Sequence, residues 1–268
     1  MFNRIELKYK AKEILKRENT YWISFAVCIL IAAVPNILTM FTSRINAYFS
    51  VSSISFSIDD LKFNIPEITP LIAGLLIGAM LLQSVFSIFL FQPLEVGAKR
   101  FFIKSAHGDN SFSSIFDIFK SENYMNVVKI LFFKNIYLLL WSFVFIIPYT
   151  LLFSAVYIFD LNVLILYLSF FGMIPMIMKY YSYFMIEYIV GDNPNVPRKE
   201  AFEKSKELMN NCRYKTFILQ LSFFGWMLLG VMACGIGVVF VTPYIEATMV
   251  QLYFALKNNT DKYDFCYE

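Results

Sequence analysis

The stretch Asp192–Gly237 reads DNPNVPRKEAFEKSKELMNNCRYKTFILQLSFFGWMLLGVMACGIG. A charged, amphipathic segment runs without a linker into a segment with no charge. Ala201, Phe202, Ser205, Leu208 and Met209 fall on one helical face, at i, i+1, i+4, i+7 and i+8. Arg198, Lys199, Glu203, Lys204, Lys206 and Glu207 cover the remainder. Asn195 is placed to cap this helix, about 197–210, and Pro197 suits its first turn, where a missing N–H loses nothing. Asn210-Asn211 provides a stop, because asparagine tolerates the left-handed backbone that ends helices. From Thr216 to Cys234 there is no charge, and Gln220 is the only strongly polar side chain. Such a junction belongs where water meets a bilayer. The charged helix reads as a solvated helix resting on the membrane surface, or as a docking surface for a partner or an anionic lipid.

Composition points the same way. Apolar residues make up 58% of the 268, charged residues 16%, and mean hydropathy is +0.58. A soluble domain carries about 25% charge. It could not shield 30 phenylalanines from water at this length. An all-α polytopic membrane helix bundle is the expected fold class, as a single integral membrane domain over 1–268. The net charge of +3 is small, and no basic block points to nucleic acid.

Working outward, residues 1–19 carry six Lys or Arg and a stripe of Leu7, Ala11, Ile14 and Leu15, the pattern of an amphipathic interfacial helix. No small-residue cleavage site follows, so this segment reads as mature protein. Six spans are expected, at about 21–41, 71–91, 135–159, 163–186, 216–234 and 238–256. Pro35 interrupts the first, and neighbouring helices must satisfy the carbonyl it frees. The stretch 42–69 reads as a loop, with a short hairpin suggested by the alternation of Val51, Ile54, Phe56 and Ile58. Gly74 and Gly78 form a GxxxG, which permits close helix approach. Pro93 is expected to bend or end the second span, leaving Glu95, Lys99, Arg100 and Lys104 to lead into a polar region. Lys129 and Lys134 can snorkel to the headgroups at the start of the third span. Gly235-Ile-Gly237 can make a tight reversal. Phe145-Ile-Ile-Pro148-Tyr149 echoes Phe240-Val-Thr-Pro243-Tyr244, and repeated proline-broken helices are a transporter trait.

Orientation follows from basic residues between spans. Segments 1–19, 93–126, 191–215 and 257–268 hold 18 of the 23 Lys and Arg. By the positive-inside rule these segments, and both termini, are cytoplasmic.

Chemistry is sparsely signalled. No GxSxG, Walker A loop, HExxH or paired-cysteine motif occurs. His107, the single histidine, lies in a Gly-Asp-Asn loop. Cys28 and Cys234 sit in apolar runs, Cys212 and Cys266 in polar ones, without the spacing of a disulfide or zinc framework. No catalytic, cofactor or metal residues are assigned. The functional candidates are the charges within or bordering apolar helices, because burying a charge in lipid is costly: Glu246, Lys179, Glu187 and Glu95. Lys179, Tyr183 and Glu187 would share one helical face. Glu95 and Lys179 read as interfacial, Glu187 as paired with a Lys or Arg, and Glu246 as interfacial or as a buried-pair or path residue.

Several motifs resemble one family across nearly the whole chain. These are Arg4-Ile-Glu-Leu-Lys8 with Tyr21-Trp22, Pro93-Leu94…Gly97…Phe101-Phe102, and Tyr180-Tyr-Ser182-Tyr with Asp192-Asn193-Pro194. Ser222-Phe223-Phe224-Gly225-Trp226, Gly235-Ile-Gly237 and Pro243-Tyr244 complete the set. In order and spacing they resemble the bacterial domain-of-unknown-function 975 family. The chain departs from it at Pro148, which is followed by Tyr149 where the family usually has glycine, and by an additional apolar stretch, roughly 151–174. The resemblance implies an integral membrane protein of Gram-positive-type bacteria and carries no substrate, activity or catalytic residue. Three roles are compatible with this: a non-enzymatic accessory, permease-like or envelope-associated factor; a membrane enzyme acting on lipid or isoprenoid head groups; and a structural partner of another membrane complex.

Overall fold

The computed structural model describes residues 3–50, 70–158 and 175–258, save positions 18, 121, 233 and 234. All regular structure among them is helical. Helix α1 (Arg4–Lys16) starts on Asn3, whose side chain accepts the Ile5 N–H at 3.0 Å and satisfies one of the end donors. Its stripe of Leu7, Ala11, Ile14 and Leu15 is buried. That stripe lies against protein, on the last helix, α11 (Ile236–Asn258). The chain then turns through 101° into α2 (Thr20–Ser50), helped by Asn19 at φ +59°. Thus α2 stays helical through residues 42–50, where a loop was expected. The rest of that segment, including the hairpin alternation from Val51 on, lies outside the described residues.

Helix α3 (Pro70–Phe86) does not stop at Pro93. A π-helical turn, Ser87–Phe91, joins it to α4 (Gln92–Ala106). The wider turn absorbs the ring that an unbroken α-helix would clash with. The carbonyl of Phe89, four residues before Pro93, accepts a hydrogen bond from the Tyr124 hydroxyl. Side chains also bond carbonyls three residues before Pro35 and Pro243, one place on from the carbonyl that each proline frees. Asn36 Nδ2 donates to the Ala32 carbonyl at 2.6 Å beside Pro35, and Tyr21 Oη donates to the Phe240 carbonyl at 3.1 Å before Pro243. No Cβ added at Gly74 or Gly78 would meet a described atom, so their GxxxG seats no described helix.

A 3-10 turn (Phe112–Phe116) and the short α5 (Asp117–Lys120) fold back onto α4. Helix α6 (Tyr124–Ile158) begins well before the expected boundary at 135. Residues 159–174, which hold the first half of the expected fourth span, lie outside the described residues. Residues 175–182 are helical (α7), a turn at 183–185 breaks the helix, and α8 (Ile186–Asp192) follows. The break puts Lys179 and Glu187 on separate elements rather than on one face.

Helix α9 (Arg198–Leu208) buries the face read from sequence: Ala201, Phe202, Ser205 and Leu208, with Met209 at its cap. Pro197 takes the N-cap position without a side-chain bond, and Asn195 does not cap; its Oδ1 accepts from Asn123 instead. The helix is anchored to the bundle. Ser205 Oγ donates to the Ser182 carbonyl at 2.9 Å, and the Arg198 guanidinium lies 4.0 Å over the Phe133 ring. Asn211 adopts φ +59° and ends the segment. Cys212 is disulfide-bonded, which the cysteine spacing did not indicate.

Helix α10 (Arg213–Met232) then returns through Gly235, at φ +77°, into α11. A Cβ on Gly230 would lie 2.6 Å from the Val238 nitrogen, and one on Gly237 2.7 Å from the Gly230 Cα. The hairpin closes only because both are glycine.

Among the described residues four helices are long and apolar enough to cross a membrane: Ile77–Ala106, Tyr124–Val144, Arg213–Met232 and Gly237–Asn258. A fifth arises if the bent pair α1 and α2 counts as one. Large apolar side chains on these helices stand exposed, including Met80, Leu81, Leu139, Phe143, Phe224 and Leu228. The opposite ends converge with α1, α8 and α9 into the buried core, in which Phe101, Ile115, Tyr188 and Tyr253 are almost wholly enclosed.

Candidate functional site

In that core an ion network joins four helices. Its centre is Lys99 on α4, a residue only 6% exposed. An unpaired ammonium there would be untenable, since desolvating an ion costs several kcal/mol (roughly) even after relaxation. Lys99 Nζ lies 2.7 Å from Glu246 Oε2 on α11. The Tyr188 hydroxyl, from α8, lies 3.5 Å from the same oxygen, and the Tyr188 ring centre is 5.3 Å from the ammonium. Glu95 sits one turn before Lys99 on α4, at 4.0 Å. Beside this group Lys134 on α6 meets Glu187 on α8 at 2.5 Å.

Local sequence explains how these groups meet. The helix break at 183–185 turns α8 so that Glu187 and Tyr188 both face the interior. Gly97 and Gly191 let the backbones close in. A Cβ at Gly97 would lie 2.1 Å from the Ile115 carbonyl oxygen, and one at Gly191 3.3 Å from the Arg100 nitrogen. Pro243 lies one turn before Glu246, as Pro93 lies shortly before Glu95. At Pro93 the Tyr124 hydroxyl takes the freed Phe89 carbonyl, and near Pro243 the Tyr21 hydroxyl bonds the Phe240 carbonyl.

Further charges extend the network toward the end of the bundle. Arg100 donates from Nη1 to the Gly191 carbonyl at 3.0 Å, and its Nε lies 3.7 Å from Asp117. Lys104 reaches Asp117 at 2.6 Å. Asp192 accepts from the Tyr253 hydroxyl at 2.9 Å and pairs with Lys257.

Of the four residues singled out in the sequence, Glu95, Glu187 and Glu246 thus meet in one cluster. Lys179 lies elsewhere, its Nζ 4.0 Å over the Trp141 ring. The cations that complete the cluster, Lys99 and Lys134, were not among the four. A signal for one was present: Glu246 in an apolar run requires a buried cation. Reading Pro93 as the bend or end of a span that leads into a polar region hid Lys99, which lies on the helix that continues past it. The network holds opposed charges of several helices in fixed register. It presents one carboxylate, Glu95, whose side chain is 48% exposed, against 23% for Glu246 and 20% for Glu187. Among the described residues no His, Cys, Asp or Glu group is arranged to hold a metal ion.

Compared with known proteins, the sequence matches a family model described as protein of unknown function (DUF975), over residues 1–260. No curated protein and no solved structure matches the chain.

Proposed function

The chain belongs to the DUF975 family, whose members share a description that assigns no activity, and from this premise we propose that it is a multipass protein of the cytoplasmic membrane. It crosses the bilayer six times with both termini in the cytoplasm. It works without covalent catalysis and without a cofactor, as a permease-like or accessory factor. The observation that carries this reading is the ion network itself. Lys99, Glu246, Lys134 and Glu187 tie together α4, α6, α8 and α11, three of which belong to apolar, membrane-length helices. Charges are retained in such helices where they bind, gate or couple. Their place beside proline-interrupted turns gives the pairs a backbone that can shift without breaking a full helical ladder.

The test uses the full chain reconstituted into vesicles that carry a trapped pH-sensitive dye and an imposed potassium gradient. Wild-type vesicles are expected to move charge faster than empty ones, and Glu246→Gln to lower that rate, because charges held within membrane helices mark ion paths. Equal rates in wild-type and empty vesicles would end the permease reading and leave the accessory one.

The exposure of Glu95 favours one other reading, an enzyme acting on lipid or isoprenoid head groups through this carboxylate. A lipid-modifying activity abolished by Glu95→Gln would be required.

A further inference from the structure

Where the apolar helices end, the structure contains a polar cleft of about 460 Å³. Its walls come from α1 and the residue that caps it (Lys10, Glu13, Arg17), the end and cap of α4 (Ala106, His107), the end of α8 (Asp192) and the last two turns of α11, with Gln251, Phe254 and Lys257. We propose that this cleft binds the phosphate of an anionic glycerophospholipid from the cytoplasmic leaflet.

Position is the first argument. The membrane-length helix Ile77–Ala106 ends at the cleft, as does Gly237–Asn258, and α2 begins at Thr20, just beyond Arg17. Three apolar helices therefore enter or leave the bilayer around one opening. A cavity in that plane lies at the depth of lipid phosphates. By the distribution of Lys and Arg it faces the cytoplasm. This step rests on the membrane placement proposed above.

Charge is the second. Lys10, Arg17 and Lys257 face Glu13 and Asp192 across the cleft. Asp192 and Lys257 pair with each other, and Asp192 also accepts from the Tyr253 hydroxyl, which leaves Lys10 and Arg17 against Glu13 alone. Arg17 is held in place by donating from Nη1 to the carbonyls of Ser105 and Ala106, at 3.5 and 3.4 Å. Those bonds use one guanidinium nitrogen and leave the rest of the fork for an oxyanion, the group its geometry matches best. Lys10 makes its ion pair with Glu6 at the exposed surface, a contact that yields readily to a stronger one.

Size and lining are the third. The volume suits one headgroup. Ile14, Ala106 and Phe254 give the cleft an apolar side against which a glycerol backbone can lie, and His107 packs edge-on to Phe254 at 5.1 Å. The His107 ring donates from Nδ1 to the Ile103 carbonyl at 2.9 Å, which fixes its orientation.

Native mass spectrometry of the detergent-purified full chain tests the site, with dioleoyl phosphatidylglycerol, the matching phosphatidylcholine, and glycerol 3-phosphate as a soluble competitor. The chain is expected to retain phosphatidylglycerol about tenfold better than phosphatidylcholine, and glycerol 3-phosphate is expected not to displace it. Lys10→Gln and Gln251→Glu, each changing the cleft by one charge, should lower retention about fivefold apiece. Lys199→Gln with Lys204→Gln, on the outer face of α9, should leave it unchanged. Lys10 is exposed, so its replacement does not threaten folding, and a thermal melt checks Gln251→Glu. Equal retention of the two lipids would overturn the proposal, as would wild-type retention in both cleft variants. Displacement by equimolar glycerol 3-phosphate would overturn the lipid assignment in favour of a soluble phosphoryl ligand. Binding is read in detergent, independent of flux across vesicles. A failed flux assay with intact lipid selectivity therefore counts against the permease reading alone, and the reverse result counts against this site alone.

Discussion

A Cβ built on Gly97 would lie 2.1 Å from the Ile115 carbonyl oxygen and 3.1 Å from its carbon. Both obstacles are backbone, in the turn that folds onto α4, so no rotamer change relieves the clash. Gly97→Ala is expected to destabilise the protein by about 3 kcal/mol, the upper range for overpacking, read as a fall in the melting midpoint of the purified full chain. Gly74→Ala should show no such fall, since a methyl group there meets no described atom. The Lys99–Glu246 pair makes a second residue-scale prediction. Lys99→Met alone leaves Glu246 without its 2.7 Å partner and should lose about 3–5 kcal/mol, while Lys99→Met combined with Glu246→Leu should recover more than half of that loss. A double variant no more stable than the single one would show that the pair is not the unit that holds α4 to α11. At this scale the sequence was informative wherever a group was out of place. Glu246 and Glu187 stand out in or beside apolar runs. Lys99 did not, because it lies among Arg100 and Lys104 and looks like any surface cation until its helix is known to be continuous.

Helix boundaries were legible where hydropathy and charge change together, and blurred where a proline carried the decision. Helices α9 and α10, the glycine return and α11 follow the pattern of Arg198–Gly237 closely, since charge gives way to an uninterrupted apolar run there. Pro93 misled because a missing N–H is a local defect, whereas helix continuity depends on whether another group takes the freed carbonyl. The Tyr124 hydroxyl does so at Phe89, and nothing in the local sequence marks a tyrosine more than thirty residues away for that task. The N-cap of α9 was misplaced for a similar reason: Asn195 is drawn to Asn123 on a neighbouring segment. The repair at Pro93 is testable. Tyr124→Phe should lower stability by about 1 kcal/mol, the typical worth of one hydrogen bond. In a Pro93→Ala background, where the helix can bond that carbonyl itself, the same change should have a smaller effect. Thermal melts of the four proteins form the cycle, and additive losses would show that the hydroxyl does not answer the proline.

The whole molecule divides by polarity along its helices. One end is sheathed in exposed apolar side chains such as Met80, Leu82, Leu140 and Leu229. The other gathers the ion network, α1, α9 and the polar cleft. Membership of the all-helical class was readable from composition, because so many apolar residues in long runs can be buried only in lipid or in one another. The packing of the amphipathic helices was not. A stripe such as Leu7, Ala11, Ile14 and Leu15 needs an apolar surface of any kind, and periodicity cannot distinguish a bilayer from α11. This difference has a consequence. If the stripe served the lipid, a charge within it would loosen only the N-terminal segment. Seated on α11, beside Phe223 and Tyr244, over whose rings Lys8 and Lys12 lie at 4.4 and 5.6 Å, it holds α10 and α11 in place. Ala11, wholly buried, is the most sensitive position. Ala11→Glu is therefore expected to reduce the folded yield of the entire chain, seen as loss of the monodisperse peak in fluorescence-detected size-exclusion chromatography. Lys10→Gln, on the exposed side of the same helix, should leave that peak intact. The orientation of the assembly is tested in the same cells with single cysteines in a cysteine-free background. A cysteine at Lys199, whose side chain is 87% exposed, should react with a membrane-impermeant maleimide only after the cells are opened. One at Lys62, in the stretch that the charge distribution assigns to the outer face, should react in intact cells. The reverse labelling pattern would invert the molecule and move the polar end, with its network and cleft, to the outside.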